Sequence, residues 1–206
     1  MPDFGFKVVP LREIVSFVAG DNHDEKMVAL TFDDGYQDFY DNAHPMLKKY
    51  GYPSTVFLVS DLVGKENLWD YENLGIGKRL LDWDRIVELK DNGIIFGSHT
   101  KSHPFLSKLS LKELEDEIKG SKLFLEERFK EPVEFFCYPY GDYDDRALDA
   151  VKQAGYLGAI TSKRGLVHKG DNPFEIRRSF IRLNTHPILF MQKLHSKYED
   201  RRGLRL

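Results

Sequence analysis

Two short clusters in this chain carry residues able to do chemistry. Thr31-Phe32-Asp33-Asp34-Gly35 sets adjacent carboxylates directly after the apolar run Met27-Val28-Ala29-Leu30, and His99-Thr100-Lys101-Ser102-His103 offers two imidazoles four positions apart. One carboxylate and two imidazoles make a site for a divalent cation with open coordination positions, and the remaining carboxylate is free to act as a base. The chemistry such a set supports is metal-assisted hydrolysis. Asp-Asp-Gly is also an ordinary turn, and a lone His-x-x-x-His pair says little. Weight comes from their joint placement where strands should end. If the segment after Gly97 forms a helical turn, both imidazoles face one ion, and Pro104 limits how far that turn runs.

The elements that must position these residues follow a repeated pattern of helix, glycine and apolar strand. Helix 38–50 stops at Gly51 before a strand over 54–59, helix 83–92 stops at Gly93 before 94–97, and helix 145–154 stops at Gly155 before 156–161. A fourth helix, about 111–129, opens on the capping-box pattern Ser110-Leu111-Lys112-Glu113 and leads to a strand over 133–138. A strand at about 175–183, a helix at about 187–197 and a frayed, charged tail 198–206 complete the chain. Strands alternating with helices imply a parallel sheet, closed or nearly closed into a barrel, with its chemistry at the carboxyl ends of the strands. Asp33, Asp34, His99, Pro139-Tyr140-Gly141 and Asn184-Thr185-His186 all fall there. The irregular stretch Asp61 to Asp82 is long enough to suggest function. Its Trp69 and Tyr71, with Trp83, are candidates for stacking on sugar rings, packing being the plainer role.

Composition excludes several classes. The 206 residues suit one domain, and 41% hydrophobic residues suffice for one core. The net charge of −3 arises from 30 basic and 33 acidic residues without a basic stripe, which argues against a nucleic-acid partner. Cys137 is the only cysteine, so no internal disulfide forms, and a buried apolar filler is its expected role. No run of eighteen apolar residues is present, and charges near Met1–Lys7 interrupt any secretory signal. The chain as written reads as cytoplasmic, and as extracytoplasmic or cell-surface if trimmed.

Thr31-Phe32-Asp33-Asp34-Gly35, Gly97-Ser98-His99 to His103-Pro104, and Tyr138-Pro139-Tyr140-Gly141 together resemble the motifs of the polysaccharide deacetylases of the NodB-homology type, carbohydrate esterase family 4. The likeness runs from about Val8 to Leu194 and is nearest to the branch acting on poly-β-1,6-N-acetylglucosamine, whose third motif also lacks an arginine. The resemblance implies a distorted (β/α)7 barrel with parallel strands, one such domain over 1–206, and removal of N-acetyl groups from an N-acetylglucosamine-containing polysaccharide. It implies that Asp34, His99 and His103 hold a divalent metal, that Asp33 is the general base, and that the backbone N–H of Tyr140 helps stabilise the oxyanion, a contact worth roughly 3 kcal/mol. Zinc is the default ion, with iron, cobalt or nickel compatible with the same donors.

Two departures stand out. Where many family members carry an arginine two residues before the third-motif proline, this chain has Cys137. Arg177 and Arg178 are the candidates to replace it, with a surface salt bridge as the expected role of each. The general-acid histidine of the related branch lies on a strand preceding the segment that resembles Phe6 to Phe17, so the resemblance implies that this first strand is missing. His186, in Leu183-Asn184-Thr185-His186, is a weak substitute and His168 a weaker one. A missing acid costs about 10² to 10⁴ in rate. Two alternatives stay open: a non-catalytic, metal-retaining glycan-binding module, and a deformylase or small-amide hydrolase of the same fold.

Overall fold

The computed structural model describes residues 5–21, 26–67, 69, 75, 77–182 and 184–203. Its centre is a curled, wholly parallel sheet in the order β3 (Thr31–Phe32), β4 (Thr55–Leu58), β5 (Ile95–Ser98), β6 (Phe135–Cys137), β7 (Gly158–Arg164) and β8 (Ile176–Arg178). A second pair, β1 (Phe6–Val8) and β2 (Lys26–Val28), is also parallel. One segment joins the two sheets. The run Lys26–Phe32 pairs with β1 through Lys26–Val28, then with β4 through Thr31–Phe32. It therefore acts as one split strand, and the curl passes through seven strand positions. Among the described residues no pairing joins β8 to β1, so the barrel is distorted and open there.

Burial explains why these short strands stay in place. In β4, Val56 and Leu58 face the cluster under the outer helices, while Phe57 faces an inner cluster. The same alternation places Phe136 outside and Phe135 and Cys137 inside. A strand buried on both faces reads as a continuous apolar run, as β4 does. The inner cluster is plugged by Leu11 and Ile14 of α1 (Leu11–Ala19), a helix the motif pattern does not reveal. Each fully buried Leu, Ile or Phe contributes roughly 1.5–3 kcal/mol.

The outer helices are α2 (His44–Tyr50), α3 (Trp83–Asp91), α4 (Leu111–Glu115), α5 (Ser121–Phe129) and α6 (Asp145–Gln153). Gly51, Gly93 and Gly155 follow α2, α3 and α6 with positive φ, the left-handed stops read from sequence. The capping box at Ser110 and Glu113 forms. The helix expected over 111–129 is instead interrupted by a wider, π-type turn at Asp116–Gly120. Trp83 packs edge to tilted on Phe124 and Phe129 with Arg128 over its ring, a packing role; Tyr71 lies outside the described residues.

Two expectations fail near the C-terminus. The strand expected over 175–183 covers only Ile176–Arg178, whereas the helix expected over about 187–197 is present as α7 (Pro187–His195). Over its described residues the tail is not frayed: α8 (Tyr198–Gly203) docks through Glu199, whose carboxylate is fully buried and paired with Arg164 and Lys193. A buried, doubly paired anion fixes a helix that composition alone marks as solvated. No described helix is long and apolar enough to cross a membrane.

Candidate metal and hydrolytic site

The carboxyl ends of β3, β5, β6 and β8 converge. Asp33 and Asp34 follow β3, His99 follows β5, and Pro139-Tyr140 follows β6. Gly35 must be glycine: its φ is +71°, and an added Cβ would lie 2.7 Å from Leu58 Cδ2. Asp34, Thr100, His103 and Tyr140 also have positive φ, which makes four of the five such non-glycine residues described members of this one region. Left-handed backbone in a residue with a Cβ costs of order 1–3 kcal/mol and persists where the surroundings over-determine it.

The expected helical turn at His99–His103 is absent. The segment is a bent loop, and the left-handed conformations of Thr100 and His103 bring the second imidazole round to the first. Asp34 Oδ1 lies 3.3 Å from His99 Nε2 and 3.3 Å from His103 Nε2. One ligand atom from each residue falls within 4.8 Å of the others. All three side chains are largely buried.

These residues fit a cation. Tetrahedral donors about 2.05 Å from a shared ion stand about 3.3 Å apart, the spacing found for both Asp34–imidazole contacts. Asp34 Oδ1 is buried without a hydrogen bond of acceptable geometry. His99 Nδ1 lies 2.7 Å from the Cys137 carbonyl, so that nitrogen carries a proton and donates it, which leaves Nε2 for the shared point. A proton is the alternative occupant. Burial, the largest influence, disfavours a charged His99, yet the Asp34 carboxylate holds its pKa well above the ordinary value; the buried Cys137 thiol is pushed up and neutral, so Asp34 is the anion responsible. Burial lowers His103 more than Asp34 raises it. Burial raises Asp34, but the His103 and His99 contacts outweigh it and its pKa falls far below the carboxylate range.

Arg178 corrects the sequence reading most sharply. Its Nη1 donates to Asp33 Oδ1 at 2.7 Å and its Nε to the Thr161 carbonyl at 2.8 Å, with the side chain 14% exposed. This is no surface salt bridge. An arginine on β8 reaches the carboxylate that Cys137 on β6 cannot hold, while the Cys137 thiol approaches Asp33 Oδ1 at 3.5 Å. Arg177 does pair at the surface, with Asp171. Burial raises the Asp33 pKa, but Arg178 more than reverses it. A depressed carboxyl contributes stability above its unfolded pKa and loses it as pH falls through the folded one. Replacing Arg178 with leucine therefore shifts the acid limb of a pH–rate profile to higher pH. At neutral pH a hydrolytic rate that uses Asp33 as its base is expected to drop roughly 10- to 100-fold, part of what a correctly ionised base contributes. Steady-state kinetics across pH checks both; an unmoved acid limb speaks against the tether.

Tyr140 adopts φ 58° and ψ 0°, and Gly141 follows at φ 70°, where a Cβ would collide with Ser162. The Tyr140 ring stacks on Phe105 at 4.1 Å and meets His103 edge-on at 4.5 Å. Trp69 lies against His103 at 4.1 Å, nearly parallel, so an aromatic residue of the long loop touches an imidazole of the site directly. His186 is not at the site: it is exposed and caps α7 through Nδ1 to the Ile188 N–H. His168 faces Asp200. Among the described residues, His99 and His103 are the histidines joined to this cluster.

A curled parallel sheet thus gathers at its strand ends a carboxylate–imidazole triad whose donors could hold a divalent cation, with a tethered second carboxylate beside it. The polysaccharide deacetylase family model matches residues 20–159, and the chain belongs to that family. It is 29% identical over 177 residues to the Bacillus subtilis (strain 168) protein YxkH, covering 85% of this chain and 59% of that one. It is 28% identical over 184 residues to the poly-β-1,6-N-acetyl-D-glucosamine N-deacetylase of Staphylococcus aureus (strain MRSA252), covering 85% and 61%. The chain thus spans about six-tenths of the length of these relatives. The structure of the Streptococcus pyogenes deacetylase PplD in complex with acetate superimposes with a TM-score of 0.82 at 27% identity, covering 95% of this chain and 82% of that one.

Proposed function

We propose that this chain is a metal-dependent hydrolase that removes N-acetyl groups from an N-acetylglucosamine-containing polysaccharide. The convergence of Asp34, His99 and His103 on one point, with Asp33 alongside and tied to Arg178, carries the reading. Family membership and the S. aureus relative's name support the substrate class. In this reading Asp34, His99 and His103 hold the ion, zinc by default and iron, cobalt or nickel by the same donors. A divalent ion so held supplies Lewis acidity, activating water and polarising an amide carbonyl. Asp33, kept ionised by Arg178, takes the proton of the attacking water. The Tyr140 N–H donates to the oxygen that gains charge. The Cys137 carbonyl fixes the His99 tautomer.

The test is acetate release. Zinc-loaded protein incubated with β-1,6-linked N-acetylglucosamine oligomers is expected to liberate acetate and leave free amines, with chelator-treated protein inactive. Binding of the oligomers with no acetate at saturating zinc would establish a non-catalytic glycan-binding module instead. Faster release of formate from N-formyl substrates would reassign the substrate.

A further inference from the structure

The loop that carries both imidazoles has an external latch. Between His99 and His103 the backbone carbonyls of Thr100 and Lys101 accept from the N–H groups of Ser60 and Asp61, at 3.1 and 3.0 Å. The amides on the other side of the same peptides go to a single side chain. Glu117 Oε2 accepts from the Lys101 N–H at 2.8 Å and from the Ser102 N–H at 3.0 Å, and Oε1 accepts from the Ser102 hydroxyl at 2.6 Å. Glu117 lies in the wide turn Asp116–Gly120 that breaks the helix between α4 and α5, and its neighbour Asp116 pairs with Lys101 Nζ at 2.9 Å. Such a bulge inserts a residue and re-aims the side chains around it.

We infer that Glu117 is a positioning residue for the metal site, holding the Thr100–Ser102 backbone in the conformation that turns His103 toward Asp34. The inference rests on the metal reading above. Two left-handed residues, Thr100 and His103, bracket the latched amides. The strain of these conformations must be offset by contacts made to this segment. Three charge-assisted hydrogen bonds to one carboxylate are the strongest side-chain contacts it makes. The Thr100 hydroxyl, which accepts from the His103 N–H at 3.0 Å, works inside the loop; Glu117 anchors it from outside. Glu117 touches none of the candidate ligands, so its effect is on geometry.

The test measures zinc affinity of the full chain by competition with a chromophoric chelator. Glu117→Ala is expected to raise the zinc Kd roughly 10- to 100-fold, the range found when groups that orient ligands are lost. Glu117→Gln, whose carbonyl oxygen can still accept from both amides while its NH2 meets the Ser102 hydroxyl, loses the charge that strengthens these bonds and is expected to fall between. Glu113→Ala, which breaks the capping box of the same helix, controls for general destabilisation and should lower the melting temperature with Kd unchanged. Zinc affinities of both Glu117 variants within twofold of wild type would overturn the inference. If Glu117→Ala does not fold, Glu117→Gln decides alone by the same criterion. Wild-type protein that binds no zinc would instead overturn the metal reading, a separate and recognisable failure.

Discussion

Replacing Asp34 with alanine is expected to abolish retention of zinc, from one ion per chain to a small fraction of one, and to eliminate acetate release. The carboxylate is the shared neighbour of both imidazoles, and without it two buried rings face each other with no anion between them. A site reduced to two neutral donors loses the charge that favours a divalent ion over water. The cation-free proteins should differ as well. The raised pKa of His99 means that its pairing with Asp34 stabilises the folded chain fully below the ordinary histidine value and is lost as pH rises through the folded pKa. Wild type should therefore exceed Asp34→Ala in melting temperature more at low pH than at high pH. Elemental analysis, acetate assays and thermal melts at two pH values check these outcomes. Undiminished zinc content would remove Asp34 from the ligand set.

Replacing Asp33 with asparagine should give the opposite pattern. Zinc is expected to remain bound with Kd within a few-fold of wild type, because Asp33 Oδ1 is engaged by Arg178 while Asp34 Oδ1 is the oxygen that lies 3.3 Å from both imidazoles. Turnover should fall about 10² to 10⁴, the usual contribution of a positioned base. The substitution also leaves the Arg178 guanidinium, 14% exposed, opposite an amide in place of its anion, so a lower melting temperature is expected together with intact metal content. Retained zinc with lost acetate release separates a base from a ligand. Loss of zinc in this variant would mean that the two aspartates have exchanged roles.

Much of this arrangement was legible from residue types. The glycine stops at Gly51, Gly93 and Gly155 and the capping box at Ser110 fixed the helix–strand rhythm, and a parallel sheet gathers its strand ends on one face regardless of detail. Three features escaped for identifiable reasons. Arg178 looked like a surface residue because the three residues of β8 give no alternation strong enough to show which side chain points inward. The His99–His103 loop looked like a helical turn because i, i+4 spacing suits one; positive φ at Thr100 and His103, stabilised from Glu117, cannot be read from those residue types. The C-terminal helix looked frayed because Glu199 and its partners Arg164 and Lys193 are separated in sequence and joined only by burial. Tertiary partners of charged residues are what local patterns omit.

The most direct test is anomalous diffraction at the zinc edge from crystals of the zinc-loaded protein. One strong peak is expected about 2.0–2.2 Å from Asp34, His99 Nε2 and His103 Nε2, with Asp33 still paired to Arg178 and outside the coordination sphere. A peak ligated by Asp33 in place of Asp34, a peak elsewhere on the molecule, or none at all would contradict it.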